Sequence, residues 1–296
     1  PTMGGVIILT AVLLPTLLLS KINSPFVQII LFATIWMGFI GFLDDYLKII
    51  KKLKKGLIAR YKMAGQIILG CIISYWVFQL PEYSFISTIT TVPFLKNVEI
   101  DLGLFYPLMV IIVITGTSNA VNLTDGLDGL AAGLLAICFT VFSAIAYMSG
   151  RIDFSSYLNI LYLPGAGELA IFSSAMAGAC IGYLWYNSHP AEVFMGDTGS
   201  LSSGAALGTL AVLLKKELLL FIIGGVFVWE AVTVIIQVSY FKLTKLSSGE
   251  GKRFFKMAPI HHHYELSEWP ESKIVIRFWI IGLLLALLSL TTFKIR

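Results

Sequence analysis

Residues 26–48 read FVQIILFATIWMGFIGFLDDYLK. The run 26–43 carries no charge, and then Asp44, Asp45 and Lys48 follow within five positions. A helix rises 1.5 Å per residue, so about 20 apolar residues cross the ~30 Å of bilayer hydrocarbon. The stretch therefore reads as a membrane span with a dense polar knot at one end. Eight further apolar runs, 4–20, 63–80, 104–121, 129–148, 168–186, 201–214, 218–241 and 274–293, fit the same reading. The run 201–214 is short and rich in Gly and Ser, which suits a helix packed among others. The predicted fold is an all-α polytopic helical bundle forming a single transmembrane unit over 1–296.

Composition agrees. Of 296 residues, 57% are hydrophobic and 13% are charged, against about 25% charged in soluble domains. Mean hydropathy is +0.86. These values exclude an ordinary soluble domain. Cys71, Cys138 and Cys180 lie in apolar stretches with no metal or disulfide spacing, so buried thiols are expected.

Lys and Arg collect in cytoplasmic loops. Segment 44–62 holds Lys48, Lys51, Lys52, Lys54, Lys55, Arg60 and Lys62, and segment 242–273 holds six more basic residues. Counting spans puts these two on one side together with 122–128 and 187–200. The other connections are thinly basic. The four loops are therefore assigned to the cytoplasm. On the opposite side, 81–103 combines β-branched and aromatic residues with Pro81 and Pro93, predicting a small periplasmic hairpin.

Each cytoplasmic loop carries a polar cluster. Asp44, Asp45 and Lys48 place two repelling carboxylates beside a lysine one helical turn away; a charged helix end and a cation site both fit. Asn119, Asn122, Asp125, Gly126, Leu127, Asp128 and Gly129 form a second cluster, with two Asp-Gly steps making a turn. Unpaired amides inside the apolar flank are costly. In the third, Asn187 and His189 precede Phe194-Met195-Gly196-Asp197-Thr198-Gly199-Ser200. Asp197 suits either a Mg²⁺ ligand or a helix N-cap, with amides of the following residues turned toward phosphate. The fourth is Ala258-Pro259-Ile260-His261-His262-His263-Tyr264-Glu265; three successive imidazoles can bind phosphate, shuttle protons or ligate metal. Glu230, within 218–241, reads either as a residue facing a cavity or as a hydrogen-bonded structural acid.

Carboxylates, amides, lysines and histidines on one face suit phosphoryl chemistry, in which Mg²⁺ uses one or two carboxylates plus substrate phosphates. A transporter would instead string ionisable residues through the bilayer.

These four motifs, in this order, resemble the polyprenyl-phosphate sugar-1-phosphate transferases. The triple-histidine segment resembles the phospho-N-acetylmuramoyl-pentapeptide branch, with similarity running from Pro1-Thr2-Met3-Gly4-Gly5 to near the C-terminus. A sibling using UDP-N-acetylglucosamine is the alternative. The resemblance implies a bacterial inner-membrane homodimer of ten spans. The first span, with a nucleotide-contacting Lys, would lie upstream of Pro1. It implies a UDP-N-acetylmuramoyl-pentapeptide donor, an undecaprenyl phosphate acceptor, a Mg²⁺ requirement, and inhibition by nucleosides such as tunicamycin and muraymycins. No nucleic-acid partner is expected.

By the same resemblance, Asp197 is the Mg²⁺ ligand, and Asp44 is the base or positioning group for the lipid phosphate beside Asp45 and Lys48. His261 and His262 are donor-phosphate contacts. Gly126, Leu127, Asp128 and Phe194 form the uracil pocket. Thr2, Lys62, Asn119, Asn122, Asp125, Asn187, Gln237, Ala258 and His263 are further substrate-proximal positions. Direct attack by the lipid phosphate and a two-step route through an aspartyl intermediate both remain open.

Overall fold

The computed structural model describes residues 3–53, 56–95 and 98–294. Thr2 lies outside the described residues. The helices in chain order are α1 (Gly5–Leu19), α2 (Pro25–Ile49), α3 (Ala59–Gln79), α4 (Tyr106–Thr124), α5 (Leu130–Ser149), α6 (Ile152–Leu158), α7 (Glu168–Asn187), α8 (Gly196–Leu213), α9 (Glu217–Ile223), α10 (Gly225–Ser248), α11 (Ile260–Glu265) and α12 (Glu271–Thr291). Between α3 and α4, β1 (Ile89–Thr91) and β2 (Glu99–Asp101) pair antiparallel with Thr90 opposite Ile100. The pair lies within 81–103, the segment in which the sequence predicts a hairpin.

Seven of these helices, α2, α3, α4, α5, α7, α10 and α12, are long and apolar enough to cross a membrane, and α1 is a shorter apolar helix. The bundle wears its apolar residues outside: on α12, Ile276, Ile280, Leu283, Leu284 and Leu287 are all about half exposed. Water does not tolerate such a continuous apolar surface, whereas lipid does.

At the centre stands α8, buried from Thr198 to Leu213 and packed on α2 and α4. Its small residues let backbones meet. A Cβ on Gly204 would lie 2.7 Å from Ser118 Cα on α4, and one on Gly41 of α2 would lie 2.3 Å from the Asp197 carbonyl oxygen. Around this core, α5 pairs with α7, α3 and α10 lean on α4, α1 lies against α7, and α12 against α5.

The structure departs from the sequence-based expectations in three places. The run 218–241 is interrupted at Gly224, so α9 ends there and α10 runs on to Ser248. The run 201–214 belongs to a helix that begins at Gly196, because Asp45 supplies acceptors for its first N–H groups. Cys138 and Cys180 are buried as expected, but Cys71 on α3 is exposed.

Candidate active site

The C-terminal end of α2, the start of α3, the end of α4 and the start of α8 meet at one end of the bundle. The α2 helix continues through Ile49, so Asp44, Asp45 and Lys48 project from its last turns. Asp44 is wholly buried and forms an ion pair with Lys48 one turn on. Its Oδ1 accepts the Leu57 N–H at 2.7 Å and lies 3.4 Å from Lys62 Nζ. Asp197, in the first turn of α8, receives Lys62 Nζ at 2.8 Å on Oδ2; on Oδ1 it receives Asn122 Nδ2 at 3.3 Å and faces Lys48 Nζ at 3.5 Å. Asn122 also donates to Ser200 Oγ at 2.8 Å.

Asp45 has a different task. It is 4% exposed, and its carboxylate accepts the Asp197 N–H at 3.1 Å, the Thr198 N–H at 2.9 Å and the Thr198 hydroxyl at 2.5 Å. It thus caps α8 from a neighbouring helix, satisfying amides that no residue within α8 can reach. Asp44, Asp45 and Asp197 each offer a carboxylate oxygen within 4.8 Å of the others. Three carboxylates so close repel unless cations intervene; Lys48, against Asp44 Oδ2, and Lys62, between Asp44 and Asp197, supply two positive charges. Such a donor set can hold a divalent cation through Asp197 and Asp44, with Asp45 already spent on the helix.

Beside this cluster opens a cleft of about 420 Å³. Asp45, Lys48, Asn122 and Asp197 line it together with Asp125, Gly126, Leu127, Asp128, Asn187 and Phe194. All four residues of the expected uracil pocket therefore share one cleft with the carboxylates. Phe194 is 49% exposed, leaving its ring free to stack. Asn187 ties the turn after α4 to the segment before α8: its Oδ1 accepts the Gly129 N–H at 3.1 Å and its Nδ2 donates to the Val193 carbonyl at 2.8 Å. Gly129 has φ 77°, a left-handed conformation that favours glycine. Asp125 sits at the end of α4. Burial first, then the negative charges of Asp197 and Asp45, push its carboxyl up to about 7.

Asp128 accepts the Ala191 N–H at 3.0 Å and meets His189 Nδ1 at 3.1 Å, while its own N–H donates to Glu271 Oε1 at 2.7 Å. The first turn of α12 is thereby fastened to the cleft.

The triple histidine is placed differently. His261 is fully buried, its Nδ1 3.1 Å from Oε2 of the equally buried Glu230, and its Nε2 backs onto Gly126. Neither group has hydrogen-bond geometry to a partner. His262 pairs with Glu265 at 2.5 Å, and His263 accepts the Lys256 N–H at 3.1 Å. Gln237 holds the loop to α10 by accepting the N–H groups of Phe254 and Phe255. Asn119 exchanges hydrogen bonds with Gln66 on α3 at 2.9 and 3.2 Å. None of Asn119, Gln237, Ala258 or the three histidines lines the cleft. The fourth loop reaches it indirectly, through His261 behind Gly126.

Gln66 and Glu271 carry no role in the sequence-based expectations, and Thr198 and Ser200 figure there only through backbone amides turned toward phosphate, whereas the Thr198 N–H and hydroxyl go to Asp45 and the Ser200 hydroxyl receives Asn122. Gln66 was detectable as a lone amide within an apolar run; the others differ in no visible way from capping residues.

A Gly-Asp carboxylate at a helix start, lysines between aspartates and an adjoining cleft form one charged site at one end of the helical bundle. The family model described as glycosyl transferase family 4 matches residues 27–215, and the chain belongs to that family. Within it the chain groups with the phospho-N-acetylmuramoyl-pentapeptide-transferases. Proteins of that name from Chloroherpeton thalassium, Thermodesulfovibrio yellowstonii and Chlorobium chlorochromatii are 55%, 53% and 52% identical over all 296 residues, covering 80% of each relative.

Proposed function

We propose that this protein transfers phospho-N-acetylmuramoyl-pentapeptide from its UDP donor to undecaprenyl phosphate, releasing UMP. The observation that carries this reading is the juxtaposition of the Asp44–Lys48–Lys62–Asp197 network with the cleft lined by Asp128 and Phe194. A nucleotide base seated between Phe194 and Asp128 would bring its diphosphate toward that network.

Asp197 and Asp44 would hold Mg²⁺, which on binding would neutralise the diphosphate and stabilise departing UMP. The chain's own groups supply the rest. Lys62 and Lys48 place two ammonium groups beside Asp197, where phosphoryl charge would be spread. Asn122 orients the Asp197 carboxylate, and Asp45 fixes the α8 turn that carries it. Asp44, buried against Lys48 and close to Lys62, would orient the incoming lipid phosphate through the cation and the lysines that it holds. Direct in-line attack is the simpler route, since positioning and charge stabilisation suffice for it.

We read α1 and α8 as further bilayer crossings, which gives nine. The excess of Lys and Arg at the site end supports a cytoplasmic site in a bacterial inner membrane. A homodimer and inhibition by tunicamycin-like nucleosides follow as proposals from family membership.

The deciding experiment measures UMP release from UDP-N-acetylmuramoyl-pentapeptide by the purified protein, with and without undecaprenyl phosphate and Mg²⁺. Release should require both. Asp197→Asn should abolish it, and a variant retaining full Mg²⁺-dependent turnover would remove Asp197 from the centre. UDP-N-acetylglucosamine serving equally well would overturn the donor assignment.

A further inference from the structure

The α8 helix spans about 27 Å at 1.5 Å per residue, so its two ends lie on opposite faces of the bundle. At the end away from the carboxylates, Lys215, Lys216 and Glu217 follow one another, and all three are buried. Two of them are fully answered. Lys215 Nζ donates to the Ser87 carbonyl at 2.7 Å and to the Tyr106 hydroxyl at 2.8 Å, and lies 4.1 Å from the Tyr106 ring centroid. Glu217 accepts from the Tyr106 hydroxyl at 2.6 Å and the Thr90 hydroxyl at 2.7 Å.

Lys216 is not answered in the same way. It is 5% exposed, and among the described residues its ammonium meets one hydrogen-bond partner, Thr91 Oγ1, at 3.0 Å. The Thr91 hydroxyl proton is committed to the Lys215 carbonyl at 2.7 Å, so only a lone pair faces Lys216. An ammonium has three N–H donors, and burying a charge without compensation is costly. Burial pushes this ammonium down to about 8, while the fields of Glu217 and Glu99 oppose the shift.

The same ammonium lies at the wall of a cavity of about 280 Å³. Thr91 and Glu99 of the hairpin, Asn159 after α6, and Thr292 and Phe293 after α12 contribute to its lining. The Phe293 ring centroid is 5.9 Å from Lys216 Nζ. Three separate segments thus line the cavity beside one buried cation. We propose that this cavity binds the phosphate of a glycerophospholipid head group, with Lys216 as its cationic contact and Glu99 accepting hydrogen bonds from head-group donors. A phosphate diester supplies the missing acceptors and the compensating charge. Its surroundings favour a lipid over a free ion. Around the cavity Leu95 and Val98 are exposed apolar residues, and the hairpin region also presents Phe85 at 93%, Leu104 at 97% and Phe105 at 72% exposure, as an interfacial belt does.

The test uses the full chain in a maltoside detergent, read by melting temperature and by native mass spectrometry. Phosphatidylglycerol, a diacylglycerol with the same acyl chains, and inorganic phosphate are titrated separately. The wild-type protein should retain and be stabilised by phosphatidylglycerol more than by the diacylglycerol. Lys216→Met should erase that difference, weakening the lipid about tenfold or more, as expected for a lost charge-assisted hydrogen bond. Thr292→Trp, which fills the cavity and leaves Lys216 in place, should do the same and decides the matter if Lys216→Met accumulates poorly. No preference for the phospholipid, or a preference surviving in the variants, would overturn the proposal. Lys216-dependent stabilisation by inorganic phosphate alone would assign the site to a free anion and overturn the lipid.

Discussion

Adjacent aspartates in this protein have separate duties. Asp44 engages lysines, whereas Asp45 accepts three hydrogen bonds from the first turn of α8. Removing a capping acceptor typically costs about 1–2 kcal/mol. Asp45→Ala should therefore lower the melting temperature measurably, and Asp45→Asn, which keeps one acceptor oxygen, should fall between it and the wild type. Equal melting of all three would show that the cap is dispensable. Asp125 carries a pH dependence of defined sign. Its carboxyl is raised to about 7 in the fold, against about 3.9 in an unfolded chain. Between those values the folded state binds the extra proton, so stability falls as pH rises through that window and stays lower above it. With divalent cations chelated, Asp125→Asn should melt higher than the wild type near pH 8, the gap closing toward pH 4. A gap that widened in acid would contradict the assignment.

Helix contacts decide how accurately these residues are held. Gly41 lets α2 lie directly on the first turn of α8, since a Cβ there would sit 2.3 Å from the Asp197 carbonyl oxygen and 2.7 Å from Thr198 Cα. Backbone cannot yield as a side chain can. Gly41→Ala should shift the turn carrying Asp197, and displacements near 1 Å cost about 100-fold in rate. Gly38, one turn earlier, is the control: its added Cβ would meet the flexible end of Leu9 at 2.8 Å. UMP release should collapse in Gly41→Ala and stay within a few-fold in Gly38→Ala; the reverse order would refute this account of the packing. The interruption at Gly224 is a second element-scale feature. By ending α9 there, the chain lets α10 start afresh and brings Glu230 against His261 at the site end.

Across the whole molecule, charge and chemistry divide between two ends, with the carboxylate cleft at one and the hairpin with Lys215–Glu217 at the other. Cysteine mapping in a background lacking Cys71 tests the orientation. Ser188→Cys and Ser248→Cys should react with a membrane-impermeant thiol reagent only from the cytoplasmic side, and Ser156→Cys on α6 only from the other. Labelling of Ser248→Cys and Ser188→Cys from opposite sides would separate loops that the site requires together. Apolar length and the distribution of Lys and Arg are properties of the chain read in one dimension, so the sequence by itself determined the membrane class, most helix positions and which loops carry the polar residues. Partnership is three-dimensional. That Asp45 caps α8, that Asn119 locks to Gln66, and that His261 is buried behind Gly126 depend on residues more than fifty positions apart. Only the tertiary structure decided them, because close small-residue packing around α8 fixes which polar groups are left facing the cleft.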